Sequence, residues 1–475
     1  MIPFKKLLVT ALAFWLIGAP LHAGNKVKYA VSDIPADLLH GANAVLRFKK
    51  ETFERKGENR GVQTIHYVVT VLNKAGNKNG IFVQPYNRFS NVSQIRGTLY
   101  DKNGKKIKNF RQEDIDDVVA DLGASLYTDT RIKYIDPRHT DYPYTVEYSC
   151  QVDYSSLLNI PAWRVYRNYQ ESVQEEHFRF ITHDNNDPNS PLAIRYYPNR
   201  KDILIKKKVE GGSDSKNSIT YYTYSVSNLK AVQPEMFSKP LSQITPVVYF
   251  TPLKFEVAGY EGRFDTWDDF GNFIRLLNKG RDALPEETRI KVRQLTASDT
   301  SVSQKVKTLY GYMQNKVHYI SISKGIQGWQ PMPAAKVDEL NYGDCKALTN
   351  YMKSLLEAAG VKSCYTLVRA GADATDILTK FPSNQFNHAI LCVPLQKDTL
   401  WLECTSQHIP CGYTGDFTDN RHVLVIGDYN SVLTRTPRYG EKQNVKSRRT
   451  EVTLLPDGTC NMHIVTSYSG MFYDE

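Results

Sequence analysis

The chain has 475 residues and a formal net charge of +10, from 60 basic and 50 acidic side chains. A domain usually holds about 150 residues, so this length predicts two or three domains with separate cores. The positive excess is spread along the chain, and its densest run, 206–208, lacks the interleaved aromatic side chains on which bases stack, so we expect no nucleic-acid partner.

The first 23 residues have the pattern of an export signal. Lys5 and Lys6 precede an apolar run over 7–17, and small residues follow up to Ala23, after which we expect cleavage. The run is shorter than the roughly 20 apolar residues of a membrane helix, and no later stretch reaches that length. We therefore expect a periplasmic or otherwise exported protein that is soluble without residues 1–23; peripheral contact with a membrane stays open.

Residues 24–235 are predicted to form an antiparallel β-sandwich. Segments rich in Val, Ile, Thr and aromatic residues, several with period-two alternation, predict six strands, at 45–53, 63–73, 91–101, 142–154, 172–182 and 218–228. Turn signals near Ala75 and Asn103 indicate hairpin connections, and short strands at this spacing are typical of a sandwich. This region contains no candidate catalytic or metal-binding cluster, so we expect it to dock a substrate or a partner.

A connector and a group of helices follow. Residues 236–258 are predicted to be a Pro-rich connector, with Pro240, Pro246 and Pro252 in a segment that has few helix signals. Helical periodicity then begins after the N-cap candidates Asp265 and Thr266 and stops at Gly280. Further helices are predicted from about residue 285 and over 302–317.

Cys345 stands at the N-terminus of the next predicted helix, 346–359, and strands are predicted after it at 363–369, 388–394 and 399–405. A helix N-terminus favours a thiolate, because its free N–H groups carry partial positive charge. His388, which opens a strand, is the candidate base, and Glu403 on the next strand is the candidate acid that orients the imidazole.

The spacing of these strands complicates the contact between the base and the acid. A tight hairpin around Lys397 would place His388 opposite residue 406, about three positions beyond Glu403. A bulge or a longer loop is then needed to bring the two side chains together.

The motifs around these residues resemble the transglutaminase-like superfamily, which is related to papain, in the form that follows a DUF3857-type β-sandwich in exported bacterial proteins. The matching elements are Gly-Asp-Cys-Lys at 343–346, Phe-Asn-His at 386–388 and Trp-Leu-Glu-Cys-Thr at 401–405. The resemblance covers roughly residues 260–430. It implies an α+β transglutaminase-like domain over 259–435, with Cys345, His388 and Glu403 as the catalytic residues.

The resemblance extends to the loop 328–331, where papain-like sites have an oxyanion donor. It implies that Gln330 or Trp329 fills this role, although Trp329 packed against the sheet is an equally good interpretation. It also implies that no metal or cofactor is needed. Two positions depart from the family pattern: the acid is commonly Asp but here is Glu403, and the residue after the motif Lys is often Asp but here is Ala347.

The remaining cysteines and the C-terminus complete the prediction. Seven Cys leave at least one thiol unpaired in a monomer, and Cys404, His408 and Cys411 lack a fourth ligand for zinc, so no metal is expected.

Residues 445–475, with a turn near Gly458, are predicted to begin a further β domain that is incomplete at Glu475. The predicted fold is thus multidomain, with a β-sandwich, a papain-related α+β domain and the start of another β region.

Two functional hypotheses remain open. In the first, Cys345 attacks an amide or peptide carbonyl of a peptide or protein substrate, and a thioester forms. The cell envelope is one open source of such a substrate. Water then makes the protein a cysteine peptidase or amidase, and an amine makes it a transglutaminase. In the second, the protein is a catalytically inert periplasmic binding or scaffold protein with a vestigial site. A disulfide at Cys345 would favour the second hypothesis; the oligomeric state stays open.

Overall fold

The structure is a computed structural model that describes residues 29–120, 127–184, 187–200, 203, 205–210 and 218–474. The expected export signal, 1–23, lies outside the described residues. No helix of the described part is long and apolar enough to cross a membrane.

The first part of the chain is rich in strands. Its elements in chain order are α1 (Ala36–Leu39), β1 (Ala44–Arg55), β2 (Gly61–Val71), α2 (Asn77–Gly80), β3 (Phe82–Tyr86), β4 (Ser90–Tyr100), β5 (Lys106–Phe110), β6 (Asp116–Val119), β7 (Tyr127–Thr128), β8 (Arg131–Ile135), β9 (Tyr144–Tyr154), β10 (Trp163–Arg164), β11 (Glu171–Thr182), β12 (Ile194–Pro198), β13 (Ile205–Glu210), β14 (Ile219–Leu229), α3 (Leu241–Ile244), β15 (Val247–Pro252), β16 (Lys254–Val257) and β17 (Tyr260–Arg263). All six predicted strands are present, as β1, β2, β4, β9, β11 and β14. The turn near Asn103 joins β4 to β5 as expected, whereas the segment near Ala75 is helical instead of a tight hairpin turn.

An eight-stranded sheet in the order β13-β14-β11-β1-β2-β9-β4-β5 is the centre of this part. The expectation of a purely antiparallel arrangement is wrong at one place, because β1 and β11 pair in parallel. Strands that are far apart in the chain meet here after a long crossover connection, which local alternation cannot indicate.

Two three-stranded sheets, β3-β8-β6 and β10-β15-β12, share a hydrophobic core with the large sheet. Phe250 on β15 packs against Phe178 and Phe180 on β11, with ring centroids 5.2 and 4.9 Å apart. The segment predicted as a connector therefore contains a strand that is hydrogen-bonded on both sides. Its apolar residues Val247, Val248 and Phe250 are buried.

Charged side chains lie inside this core. Lys49 Nζ is 2.9 Å from both Glu51 Oε2 and Glu176 Oε1, and Trp163 Nε1 donates to Glu176 Oε1 at 2.6 Å. Two carboxylates thus face one ammonium group, and the second oxygen of Glu176 has no hydrogen-bond partner. Burial raises the pKa of Glu176 to about 7, although Lys49 opposes this shift.

The second part of the chain is α+β. Its elements are α4 (Trp267–Asn278), α5 (Glu286–Leu295), α6 (Val302–Lys316), β18 (His318–Tyr319), β19 (Ile322–Ser323), α7 (Ala334–Leu340), β20 (Tyr342–Gly343), α8 (Cys345–Ala358), β21 (Cys364–Val368), β22 (His388–Pro394), β23 (Thr399–Leu402), α9 (Gly415–Thr418), β24 (His422–Ile426) and β25 (Ser431–Arg435). α4 begins as predicted, because Thr266 accepts from the Asp269 N–H and Asp269 accepts from the Thr266 N–H. The three strands predicted after the Cys helix are present as β21, β22 and β23.

The five strands β21 to β25 form an antiparallel sheet in the order β23-β22-β21-β24-β25. Leu348 and Met352 on α8 share a core with Leu391 and Val393 on β22. α4 packs on the inner strands of this sheet in a neighbouring core. The multidomain, strand-rich character that the sequence predicts is therefore confirmed.

The C-terminal residues form a hairpin of β26 (Lys446–Leu454) and β27 (Cys460–Tyr468). Nearly all of its side chains are exposed, and Val452, Leu454, Met462 and Ile464 lie on one face of it by the observed register. A β-hairpin is thus present where one is expected. That it belongs to a further domain, and the other domain boundaries, stay predictions.

Replacement of Glu176 by Gln should flatten the pH dependence of stability. In the wild type, the folded protein holds a proton on Glu176 more tightly than the unfolded chain does, so stability falls as the pH rises through about 7. We expect the melting temperature to fall less between about pH 5.5 and pH 8.5 in Glu176→Gln. Glu113→Gln, at a side chain that is 76% exposed, is the control; parallel profiles for Glu176→Gln and the wild type would contradict the assignment.

A fragment of residues 24–235 should be less stable than one of residues 24–253. The shorter fragment lacks β15, whose buried Val and Phe side chains each contribute about 1.5–3 kcal/mol of burial free energy. Thermal unfolding followed by circular dichroism compares the two fragments. Equal melting temperatures would show that β15 is dispensable for the first core.

Candidate active site

Cys345 is the first residue of α8. Asp344 is the N-cap, and its Oδ1 accepts from the Ala347 N–H at 2.9 Å. This cap satisfies one of the free N–H groups of the first turn and leaves the N–H of Cys345 without an acceptor inside the helix. The Cys345 side chain is therefore at the positive end of the helix, and the residue is only 8% exposed.

His388, the first residue of β22, lies between Cys345 and Glu403. Its Nε2 is 2.9 Å from Glu403 Oε2, and Cys345 lies near enough to raise the pKa of the imidazole. Because Nε2 is occupied by the carboxylate, Nδ1 is the nitrogen left for the thiol. The structure thus brings together the three residues that the sequence nominates as a catalytic triad.

The register of β22 and β23 explains how Glu403 reaches His388. Leu391 pairs with Leu402 and Pro394 with Thr399, so the ladder, if continued, would place His388 opposite residue 405. Glu403 is then a diagonal neighbour two positions away, within reach of a long side chain. This extrapolated position is one residue from the rough expectation of 406, and the paired residues 391–394 and 399–402 show no bulge.

The Glu403 carboxylate is held at both oxygens. Oε1 accepts from the Thr405 hydroxyl at 2.5 Å and from the Thr405 N–H at 3.1 Å, while Oε2 faces His388. The Glu403 backbone carbonyl accepts from the Tyr310 hydroxyl at 2.6 Å. The acid therefore has one fixed orientation, which a glutamate on a flexible loop would lack.

The electrostatics of the three groups favour a thiolate and an imidazolium. Burial opposes charge on each of them, but Lys346 and His388 lower the pKa of Cys345. Burial also disfavours the imidazolium, yet Glu403 and Cys345 raise the pKa of His388. The pKa of Glu403 is lowered, because His388 and Thr405 outweigh its burial. Four other thiols in this domain show the opposite shift. Burial raises the pKa of Cys364, Cys392, Cys404 and Cys411.

Several side chains around the triad have no role in the sequence analysis. Lys346 Nζ is 2.5 Å from Asp344 Oδ2, and the Lys346 side chain is only 12% exposed, so a poorly hydrated ammonium group lies near the thiol, whose pKa it lowers. The Phe417 ring packs edge-on against His388, with centroids 5.3 Å apart. Lys346 and Asp344 belong to the 343–346 motif and could have been found from it, whereas Phe417 lies far along the chain and carries no local signal.

The structure does not favour the two oxyanion candidates from the loop 328–331. Gln330 Nε2 donates to the Tyr260 hydroxyl and to the Leu277 carbonyl, both at 3.2 Å, so its two N–H groups are engaged. The Trp329 ring packs against Phe89 of the first part of the chain, with centroids 5.9 Å apart. An oxyanion role for Gln330 or Trp329 stays a prediction without support from these contacts.

All seven cysteines are free thiols, including Cys345. In the part of the chain that the structure describes, no group of three or more His, Cys, Asp and Glu side chains is arranged to hold a metal ion.

Residues 58–233 match a family of domains of unknown function, DUF3857, for which a structure has been solved. The chain contains a DUF3857 domain. This match covers the strand-rich part only, and the resemblance of the second part to the transglutaminase-like superfamily stays a proposal. No curated protein matches the sequence.

Among solved structures, the chain is similar to a proposed protease from Parabacteroides distasonis ATCC 8503. The TM-score is 0.59 at 14% identity, over 84% of this chain and 72% of that chain. At this identity, the likeness shows a shared fold and nothing about activity. A proposed cysteine protease from Cytophaga hutchinsonii also matches, over 88% of this chain and 92% of that chain at 11% identity, but its TM-score of 0.22 is too low to carry an argument.

Replacement of Thr405 by Val should raise the pKa of the Cys345 thiol. The change removes the hydroxyl that holds Glu403 Oε1 and so loosens the carboxylate that stabilises the imidazolium. A hydrogen bond to a charged group contributes about 1.5–3 kcal/mol, so alkylation of Cys345 below neutral pH should slow by about tenfold or more. The measurement is the pH profile of the alkylation rate. Thr405→Ser keeps the hydroxyl and should behave like the wild type; equal slowing in both variants would contradict this role.

Proposed function

We propose that the protein is an exported thiol acyl-transfer enzyme with a transglutaminase-like second domain, which cleaves or transfers amide bonds of a peptide or protein substrate. The observation that carries this proposal is the grouping of Cys345, at a helix N-terminus, with an imidazole that is hydrogen-bonded to Glu403 and lowers the pKa of the thiol. A series of thiol, imidazole and carboxylate in this order is the arrangement that activates a cysteine nucleophile.

In the first half of the reaction, His388 Nδ1 accepts the thiol proton and the sulfur attacks the carbonyl carbon of the substrate. The carbonyl oxygen becomes an oxyanion, for which the Cys345 backbone N–H at the start of α8 is the donor that helix geometry leaves free. The C–N bond then breaks, the imidazolium gives its proton to the leaving nitrogen, and a thioester remains on Cys345.

In the second half, a water molecule or an amine gives a proton to His388 and attacks the thioester carbon. The C–S bond breaks and Cys345 leaves as a thiolate, while the proton stays on the His388 imidazolium or passes from it to the sulfur. Water yields a carboxylic acid, and an amine yields a new amide. Glu403 keeps the imidazole oriented throughout and does not take its proton, because His388 and Thr405 keep the Glu403 carboxylate ionised.

A second candidate function is an inert binding or scaffold protein. One observation favours it: Cys345 and His388 are each only 8% exposed, so a substrate can reach the sulfur only if the covering side chains move. Phe417 packs on His388 and is itself 43% exposed, so it is the side chain placed to make that movement. The two candidates differ in whether Cys345 reacts in the folded protein.

Cys345 should be alkylated faster than any other cysteine below neutral pH. The most demanding competitor is Cys460, because it is exposed and Cys345 is buried. We expect mass spectrometry after brief treatment with iodoacetamide at about pH 6 to find Cys345 modified first, because a lowered pKa makes it the most ionised thiol. Preferential labelling of Cys460 with no label on Cys345 would favour the inert candidate.

Substitution of the two partners should have unequal effects on this labelling. His388→Ala removes the proton acceptor and should abolish fast labelling of Cys345, whereas Glu403→Gln should slow it only in part, because the amide can still orient the ring. Glu357→Gln, at the exposed end of α8, is the matched control. Equal and negligible effects of His388→Ala and Glu403→Gln would refute the triad.

A further inference from the structure

A cleft of about 730 Å³ lies between the two parts of the chain. One wall comes from the strand-rich part, with Arg164 and Tyr249, and the other from the segment 369–387 of the α+β part. Contacts across the cleft hold the walls together: the rings of Tyr197 and Phe381 are 5.8 Å apart, and Asn384 Nδ2 donates to Asn159 Oδ1 at 2.8 Å. The cleft is therefore a feature of the assembled chain, which neither part has alone.

The cleft lies next to the proposed catalytic histidine. Its lining includes Asn387, the residue before His388, and Arg369, which follows β21. Val368 pairs with His388, and the Asn387 N–H donates to the Val368 carbonyl at 3.2 Å. Arg369 and Asn387 thus leave the same end of the paired strands, which places the lining of the cleft one residue along the chain from His388.

The charges that line the cleft are mostly positive. Arg164, Lys239 and Arg369 have no carboxylate partner within 4.0 Å among the described residues. The single acidic lining residue, Asp376, is already engaged, because its two oxygens accept from His422 Nδ1 at 2.6 Å and from the His422 N–H at 2.9 Å. The cleft therefore has three cations without a described carboxylate partner, and its one carboxylate already bonds to His422. This excess of positive charge favours an anionic ligand.

The polar side chains between these cations favour a peptide. Asn159 and Asn384 bond to each other through one atom each, which leaves the Asn159 N–H₂ group and the Asn384 carbonyl oxygen for a ligand. One donor and one acceptor side by side match the C=O and N–H of an extended backbone. The Arg164 guanidinium lies 5.7 Å from the centre of the Tyr249 ring, which keeps this cation at the wall of the cleft.

We propose that the cleft between the two parts of the chain binds an acidic peptide segment of the substrate, next to the bond that Cys345 attacks. The substrate role rests on the proposed function, but binding itself does not. The DUF3857 domain then supplies one wall of the substrate-binding cleft.

Peptide binding to the full chain with the substitution Cys345→Ser tests this proposal without turnover. The probes are three fluorescein-labelled octapeptides that alternate Gly with Glu, Gln or Lys, and the readout is fluorescence anisotropy. We expect the Glu peptide to bind at least about tenfold more tightly than the Gln peptide at low ionic strength, and the difference to shrink as salt is added. Equal binding of the Glu and Gln peptides would overturn the proposal.

Variants of the lining cations locate the binding site. Arg164→Gln and Arg369→Gln should each weaken binding of the Glu peptide by about threefold or more and leave the Gln peptide unchanged. Arg369→Lys keeps the charge and should retain most of the binding, which separates lost charge from misfolding. Lys336→Gln makes the same change on the exposed face of α7 and should have no effect. Tighter binding of an oligogalacturonate than of the Glu peptide would overturn the assignment to a peptide.

These results are distinguishable from those that test the catalytic proposal. If Cys345 is not alkylated but the Glu peptide binds as stated, the proposed chemistry is wrong and the cleft proposal stands. If Cys345 is alkylated first but the three peptides bind equally, the cleft proposal is wrong and the proposed chemistry stands.

Discussion

The packing of the first turns of α8 on β22 is the contact on which the site depends. Thr349 Oγ1 donates to the Ala389 carbonyl at 3.0 Å, and below it the apolar face of α8 fills the core against β22. Cys345 and His388 are the first residues of these two elements. They meet because the helix and the strand pack in this register, so the hydrophobic core that stabilises the domain also sets the geometry of the thiol site.

Burial gives this site its electrostatic character. Charges in a water-poor interior interact more strongly than at a surface, but removing them from water is costly, so a buried ion pair is poor evidence for stability. The Cys345, His388 and Glu403 side chains are all buried, and Lys346 and Asp344 form a second, largely buried ion pair beside them. Charges of this kind around one thiol are what the proposed reactivity requires.

The strand-rich part of the chain contributes to the surroundings of the site. β7 pairs with β19, Asp129 Oδ2 accepts from the Gly325 N–H at 3.0 Å, and Phe89 packs on Trp329. These contacts hold the segment 322–329, which precedes α7 and α8 in the chain. The strand-rich part therefore contacts the α+β part both here and at the segment 369–387.

Local patterns in the sequence were sufficient for the six predicted strands of the first part and for the helices around Cys345, whereas the candidate triad was nominated through the family resemblance. The period-two strands, the N-cap and the apolar stripe of α4, and the helix after Cys345 depend on neighbouring residues, so they could be predicted without tertiary contacts. The tertiary structure alone decided what depends on distant residues. The pairing of β15 with β10 turned an expected connector into a core strand, the contacts with Tyr260 and Leu277 occupied the amide of Gln330, and the register of β22 and β23 brought Glu403 within reach of His388. These outcomes could not be predicted from local sequence, because each is set by side chains that lie far apart along the chain and meet only when the sheets pack.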